Sequence, residues 1–207
     1  KFLGLDKDNS KVVVCHLGNG ASISAVENGK CVDTSMGLTP LEGVMMGTRS
    51  GDIDGGAVAF IQKKLGLDAD GISDLLNKKS GIAGLTGLSS DMRDIENAAN
   101  AGNERAQIAQ DSYFYRIKKY VGAYAAAMGG IDVLVFTAGV GENQTPMRED
   151  VCRGLEFMGI KIDAEKNAKI RGEEAIISTP DSRVKVVVIP TDEELMIASD
   201  TMALISK

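Results

Sequence analysis

The sequence predicts an α/β domain built on a mixed sheet, and three observations carry that prediction. The first 36 residues read as a three-stranded antiparallel meander. After them, helical segments alternate with short β-branched strands. The chain has 207 residues, 43% hydrophobic and 25% charged, enough for one sizeable core. No internal repeat, low-complexity tract or Pro/Ser-rich linker divides it.

Lys11–Cys15 (KVVVC) is β-branched and predicts the first strand. Gly18-Asn19-Gly20 is a turn. Ala21–Glu27 alternates apolar and polar residues as a strand does. Asn28-Gly29 then predicts a two-residue hairpin, because both central positions of a type I′ turn need positive φ, and Lys30–Met36 is the return strand. Ala57–Leu65 predicts a helix after the Gly- and Asp-rich SGDIDGG. Gly71–Lys79 predicts a second, with Ser73 as its cap. Asp91–Ala101 and Asn103–Met128 predict two more, Ser90 capping the former. In the latter, Ala106, Tyr113, Ile117, Val121, Tyr124 and Met128 share an apolar face. Ile131–Phe136 (IDVLVF) reads as a buried strand. Pro146–Met158 reads as a helix with Pro where a missing N–H costs little, ended by Gly159-Ile160. Ala175–Ser178 and Val184–Ile189 are further strands. Asp192–Ile205 is a last helix, with Thr191 and Glu194 as a capping box.

Composition bounds the function. The formal net charge is −6, and no basic tract suits nucleic acid. A phosphate ligand would need local positive charge or oriented backbone N–H groups. Glycine stands at 24 residues, against roughly 7% on average, which points to tight turns and close backbone approaches. The three cysteines, Cys15, Cys31 and Cys152, fit no zinc spacing and no disulfide framework. Cys15 and Cys31 lie in strand-like runs and are expected to be buried thiols, in a reducing, cytoplasmic setting. Val121–Gly141 carries a single charge, Asp132, but its five glycines split it, and no membrane span is expected. No signal peptide opens the chain, and the start at Lys1 reads as that of a fragment.

Several segments can carry chemistry, each beside a plainer reading. There is no Walker A pattern, and Ile23 stands where the third glycine of GxGxxG would fall. The backbone of Gly18-Asn19-Gly20 can form an anion nest, with Asn19 as a further donor and His16, the sole histidine, two residues earlier. A tight hairpin with a packed histidine fits equally. Thr137–Asn143 follows a buried strand directly, where α/β sheets bind ligands. Gly139 and Gly141 permit flat contact, and Glu142 and Asn143 can hydrogen-bond; a simple β–α connection is the alternative. Ser35–Asp54 lacks periodicity and holds one arginine, Arg49, flanked by small, flexible residues. It can meet a phosphoryl group in transfer or lie on the surface. Asp91 and Arg93 open a helix and need only capping to explain them. Asp192, Glu193 and Glu194 can bind Mg²⁺ through oxygen or serve the helix dipole.

These segments occur in one order. HLGNGAS, DTSMGLTPLEGVMMGTRSGDID, NKKSG, SSDMRD, FTAGVGEN and IPTDEE together closely resemble the second half of the acetate kinases, from about Lys11 to the end. The resemblance implies a ribonuclease-H-like lobe of the superfamily that includes sugar kinases and actin. It implies ATP or ADP as substrate. His16, Gly18, Asn19 and Gly20 would lie at the phosphates, and Asp91, Met92 and Arg93 in a nucleotide triplet. Gly139, Val140, Gly141, Glu142 and Asn143 would meet the adenosine. Arg49 would stabilise the transition state and Glu193 would hold Mg²⁺. It implies phosphoryl transfer to acetate, with propionate or butyrate as related acids, and a homodimer joined through this lobe. The family's first lobe, with the acetate pocket, the catalytic Asp and a Mg²⁺-binding Asn, has no counterpart here. Residues 1–207 are expected to be a single C-terminal lobe, inactive alone.

Overall fold

A computed structural model describes residues 2–206. Strands β1 (Lys11–Leu17), β2 (Ala21–Glu27) and β3 (Lys30–Thr34) form the expected meander. Asn28 and Gly29 have φ of 52° and 72°, as the type I′ turn requires. The pairing of β2 with β3 slips between Ala25 and Val26, and β3 is exposed along its length.

Helices α1 (Gly55–Leu65), α2 (Ala69–Lys78), α3 (Gly81–Thr86), α4 (Met92–Asn100) and α5 (Glu104–Ala127) follow. The chain then returns to the sheet as β4 (Val133–Thr137) and passes through α6 (Ala138–Asn143), α7 (Thr145–Cys152) and α8 (Ala164–Asn167). Strands β5 (Ala175–Ile176) and β6 (Lys185–Val188) precede α9 (Glu193–Ile205). The sheet runs β3-β2-β1-β4-β6-β5, with β1, β4 and β6 parallel and the rest antiparallel. This is the ribonuclease-H-like mixed sheet expected from the resemblance.

Strand periodicity divides the core in two. Val13, Cys15, Leu17, Leu134, Phe136, Val186 and Val188 join the main core with α3, α4, α5 and α7. Val133, Val135 and Val187 face the other way, with Leu3, Val12, Val14 and Ile176 around them. Parallel strands are apolar on both faces for this reason. The predicted face of α5 is buried at all six positions, with Ile117 and Val121 fully enclosed. Such a side chain contributes roughly 1.5–3 kcal/mol through burial. Helix α9 differs: it buries no residue, and Leu195, Ile197, Leu204 and Ile205 are exposed. Among the described residues no helix is long and apolar enough to cross a membrane.

Three predicted caps fall to aspartates. Asp68, not Ser73, accepts from Gly71 N at the head of α2, and Ser73 lies inside the helix. Asp91, not Ser90, caps α4. Asp192, not Thr191, caps α9 by accepting from Leu195 N at 2.9 Å, so the predicted capping box does not form. A carboxylate competes well for a first-turn N–H because the helix dipole adds to the hydrogen bond. The predicted helix 146–158 stops at Cys152, because Gly154 turns the chain at φ +81° and a 3₁₀ turn, Glu156–Met158, follows. The glycine-rich turn expected at 137–143 is the short helix α6.

Cys15 and Cys152 are buried, but Cys31, on the exposed strand β3, is not, contrary to expectation. Burial raises both enclosed thiols, Cys152 to about 12. In the folded protein at pH 8 a disulfide reagent such as DTNB is expected to titrate one thiol rapidly, and three in denaturant. Rapid reaction of two or three in the folded protein would contradict this packing.

Candidate functional site

Register decides where the candidate loops meet. His16 of β1 stands beside Thr137 of β4, and Phe136 beside Val188 of β6. The three parallel strands therefore end together, and residues 18–20, 138–143 and 189–192 leave from the same edge of the sheet. Carboxyl edges of parallel strands are where such sheets bind ligands.

Within the first turn, Gly18 N donates to Gly20 O at 2.9 Å, so that amide is spent inside the turn. Among the described residues, the amides of Asn19 and Gly20 have no protein acceptor and remain as donors. His16 lies half-buried in β1 rather than in the turn. In α6 the chain leaves β4 with Ala138 at φ +63°, a conformation that costs an alanine energy and marks a constrained junction. Thr191 holds that junction. Its hydroxyl lies 2.7 Å from the Thr137 hydroxyl and accepts from Ala138 N at 3.2 Å. Its own N–H donates to Glu142 Oε1 at 2.9 Å, so one Glu142 oxygen already has a partner within the protein. Asn143 Nδ2 donates back to Gly139 O.

The segment 35–54 forms neither helix nor strand, yet it is fixed and not flexible as the sequence suggested. Ser80 N, Ile82 N and Ala83 N donate to the carbonyls of Thr48, Met46 and Gly47, and Ser50 N donates to Leu76 O. Asp52 Oδ1 accepts from Gly43 N at 2.9 Å, and Asp52 Oδ2 accepts from the Tyr120 hydroxyl of α5 at 2.8 Å. Arg116 adds a longer contact at 3.7 Å. Burial and the bond to Asp52 push the Tyr120 hydroxyl up, so it stays a donor. Gly51, at φ +66°, passes so close that a Cβ would lie 2.6 Å from Gly43 O.

This packing sets Arg49. Its Nη1 donates to Pro40 O at 3.3 Å and lies 3.5 Å from where a Cβ on Gly20 would stand. No carboxylate pairs with it among the described residues. A guanidinium has five N–H donors, so Arg49 keeps most of its donors free beside the 18–20 turn. Gly47 joins the same place: a Cβ there would come within 2.7 Å of Asn19 Oδ1 and 3.0 Å of Ser90 O. Only glycine allows these three segments to touch.

Asp91, Met92 and Arg93 open α4 on the other side. Asp91 Oδ1 accepts from Arg93 N at 2.9 Å, and Arg93 Nη2 donates to Asp91 Oδ2 at 2.6 Å. The Arg93 side chain, then its amide, hold the Asp91 carboxyl down at about 2. Met92 is buried, while Arg93 folds back over its neighbour and is exposed. Gly18, Asn19, Asp91, Met92, Arg93, Gly139, Val140 and Asn143 together line a cleft of about 870 Å³. That volume suits a nucleotide-sized ligand. His16, Gly20, Arg49, Gly141, Glu142 and Glu193 do not line it, although Gly20 and Arg49 adjoin it at Asn19 and Gly47.

Sequence reasoning missed other lining residues, including Gly47, Glu96, Gln144 and Arg171. Gln144 follows the 139–143 segment directly and donates to Met92 O and Glu96 Oε2, both at 3.3 Å. Glu96 lies one helical turn beyond Met92, a spacing that could have revealed it. The expected trio at 192–194 does not assemble. Asp192 Oδ1 is spent as a cap, and no cluster of three acidic, His or Cys side chains could hold a metal among the described residues. Glu193 remains an exposed single carboxylate, suited to a hard cation that takes its other ligands from phosphate and water.

The chain matches the Acetokinase family over residues 1–199. It is 67% identical over all 207 residues to the acetate kinase of Phocaeicola vulgatus, of which it covers 52%. The crystal structure of Porphyromonas gingivalis acetate kinase superposes with TM-score 0.96 at 60% identity, covering 98% of this chain and 51% of that one. A propionate kinase from Francisella tularensis superposes with TM-score 0.85 at 43% identity, covering 92% and 48%. The chain thus spans about half the length of the curated relatives it matches.

The tie between α5 and the Arg49 segment is testable. Tyr120→Phe deletes one hydrogen bond to a half-buried carboxylate and is expected to cost about 1 kcal/mol. A lowered urea midpoint at constant m-value is the reading. An unchanged midpoint would mean that the bond does not hold the segment.

Proposed function

The chain belongs to the acetokinase family, and we propose that it is the nucleotide-holding half of an acetate kinase, moving the γ-phosphoryl of ATP reversibly to acetate. One observation carries the reading. Gly18 and Asn19, Gly47, Ser90 to Arg93, and Gly139, Val140 and Asn143, far apart in sequence, line one cleft at the carboxyl edge of the sheet, and Arg49 adjoins it.

The roles follow from chemistry. The free amides of Asn19 and Gly20 bind phosphate oxygens as a nest does. Gly139 and Val140 give the base a flat wall, opposite Met92 and Arg93. An acetate oxygen attacks the γ-phosphorus while the bond to the β–γ bridging oxygen breaks and ADP leaves. Charge then spreads over three equatorial oxygens, and Arg49, with donors to spare, meets it there. Glu193 would hold a nucleotide-bound Mg²⁺ through its carboxylate and water. When bound, that ion offsets phosphate charge.

The relatives' names favour acetate as acceptor, since those at 60–67% identity are acetate kinases. Propionate is the second reading, raised by the propionate kinase at 43%. Acetate specificity would then lie in the half that the relatives possess beyond this one. Exposed Leu195, Ile197, Leu204 and Ile205 on α9 support such a second half, because an apolar helix in water needs a partner. Exposed Phe60, Leu65, Ile108 and Tyr115 support a homodimer through this lobe. A cytoplasmic enzyme belongs to the same reading.

In the full-length protein, Arg49→Ala is expected to lower kcat on the order of a thousandfold, while KM for ATP shifts far less. A near-normal kcat would remove Arg49 from the mechanism. The 207-residue chain alone is expected to make no acetyl phosphate in a hydroxamate assay and to scatter light as a dimer. Robust turnover by the isolated chain, or a clean monomer at high concentration, would contradict the reading.

A further inference from the structure

Arg148, on α7, is fully enclosed, yet no carboxylate pairs with it among the described residues. A buried cation without a counter-ion is costly unless every donor is met. Here oxygen atoms meet them. Nη1 donates to Gly141 O at 2.9 Å and Glu142 O at 2.7 Å. Nη2 donates to Ile170 O at 2.7 Å and Asn167 O at 3.3 Å, and Nε to Asn167 Oδ1 at 2.8 Å.

The pattern has a cause. Gly141 and Glu142 stand in the last turn of α6, Asn167 is the last residue of α8, and Ile170 lies in the turn that follows it. Carbonyls there lack helical partners and carry the negative end of the dipole. One guanidinium therefore ties the end of α6 to the end of α8 and the turn beyond it. Burial pulls Arg148 down only to about 10, so it stays charged at neutral pH. Gly172 N, donating to Glu142 O at 3.2 Å, closes the same junction. The two segments so joined both reach the cleft, α6 through Gly139, Val140 and Asn143, and the loop after α8 through Arg171. Neither is part of the phosphate turn.

We propose that Arg148 is a positioning residue for the base end of the nucleotide site, fixing the wall that α6 presents by locking it to residues 167–171. The proposal rests on the nucleotide reading above. A guanidinium fork serves four carbonyls in two directions, which an ammonium group cannot reproduce.

The test uses the full-length kinase and Arg148→Lys, comparing ATP, GTP and acetate. Loss of a supporting contact behind a site typically costs 10–100-fold. KM for ATP is expected to rise about tenfold, the preference for ATP over GTP to shrink, and kcat and KM for acetate to stay within about twofold. Equal losses with every substrate, or an unchanged KM for ATP, would overturn the proposal. If Arg148→Lys does not fold, hydrogen exchange on the unaltered enzyme decides. ADP should protect amides 138–144 and also 166–170, which lie behind the cleft; protection confined to 138–144 overturns the coupling. An unaltered enzyme that takes no nucleotide overturns the nucleotide reading itself, and this proposal with it.

Discussion

Strand β1 is hydrogen-bonded along both edges, antiparallel to β2 and parallel to β4. That double pairing fixes the site before any functional side chain is considered. The antiparallel side forces a tight turn at residues 18–20, with two amides left over. The parallel side aligns that turn with the start of α6, so that a Cβ on Gly18 would stand 3.7 Å from that of Ala138. A slip of one residue would exchange the two faces of β1 and put Val12, Val14 and His16 where Val13, Cys15 and Leu17 now fill the main core. The buried apolar face of the strand thus sets the register, and the register sets the site.

Around that fixed edge, polar contacts hold segments that have no regular structure of their own. Asp52 and Tyr120 fasten the Arg49 segment to α5. Thr191 fastens the last connection to the strained start of α6. The Asp52–Tyr120 and Thr137–Thr191 contacts are partly withdrawn from water, where an unmet partner is expensive. The consequence is a cleft whose walls come from distant parts of the chain and yet are held in place. Arg49 is then presented with unfilled donors, which suits a group that must meet charge only as it develops.

Much of the fold could be read from local signals. Asn28-Gly29 gave its turn because the φ values it favours are the ones the turn needs. The apolar stripe of α5 gave its buried face because the helical period alone decides which residues align. The caps misled because Ser73, Ser90 and Thr191 each had an aspartate nearby with a better acceptor, and Thr191 was engaged in a tertiary bond. The site was legible as separate loops, each open to a plainer explanation, and their order along the chain tied them to the acetate kinases. What joins them was not legible. Gly47 matters through the side chain it lacks, and Glu96 and Gln144 act through contacts 48 residues apart. The expected trio of carboxylates failed because the first was needed by the helix it begins.

The most direct measurement is a crystal structure of the protein with ADP bound. The account requires the phosphates at the amides of Asn19 and Gly20, within reach of Arg49. It requires the base between Gly139–Val140 and Met92–Arg93. Nucleotide bound elsewhere, for instance in the second cleft near Phe2, Asp132 and Arg183, would contradict it.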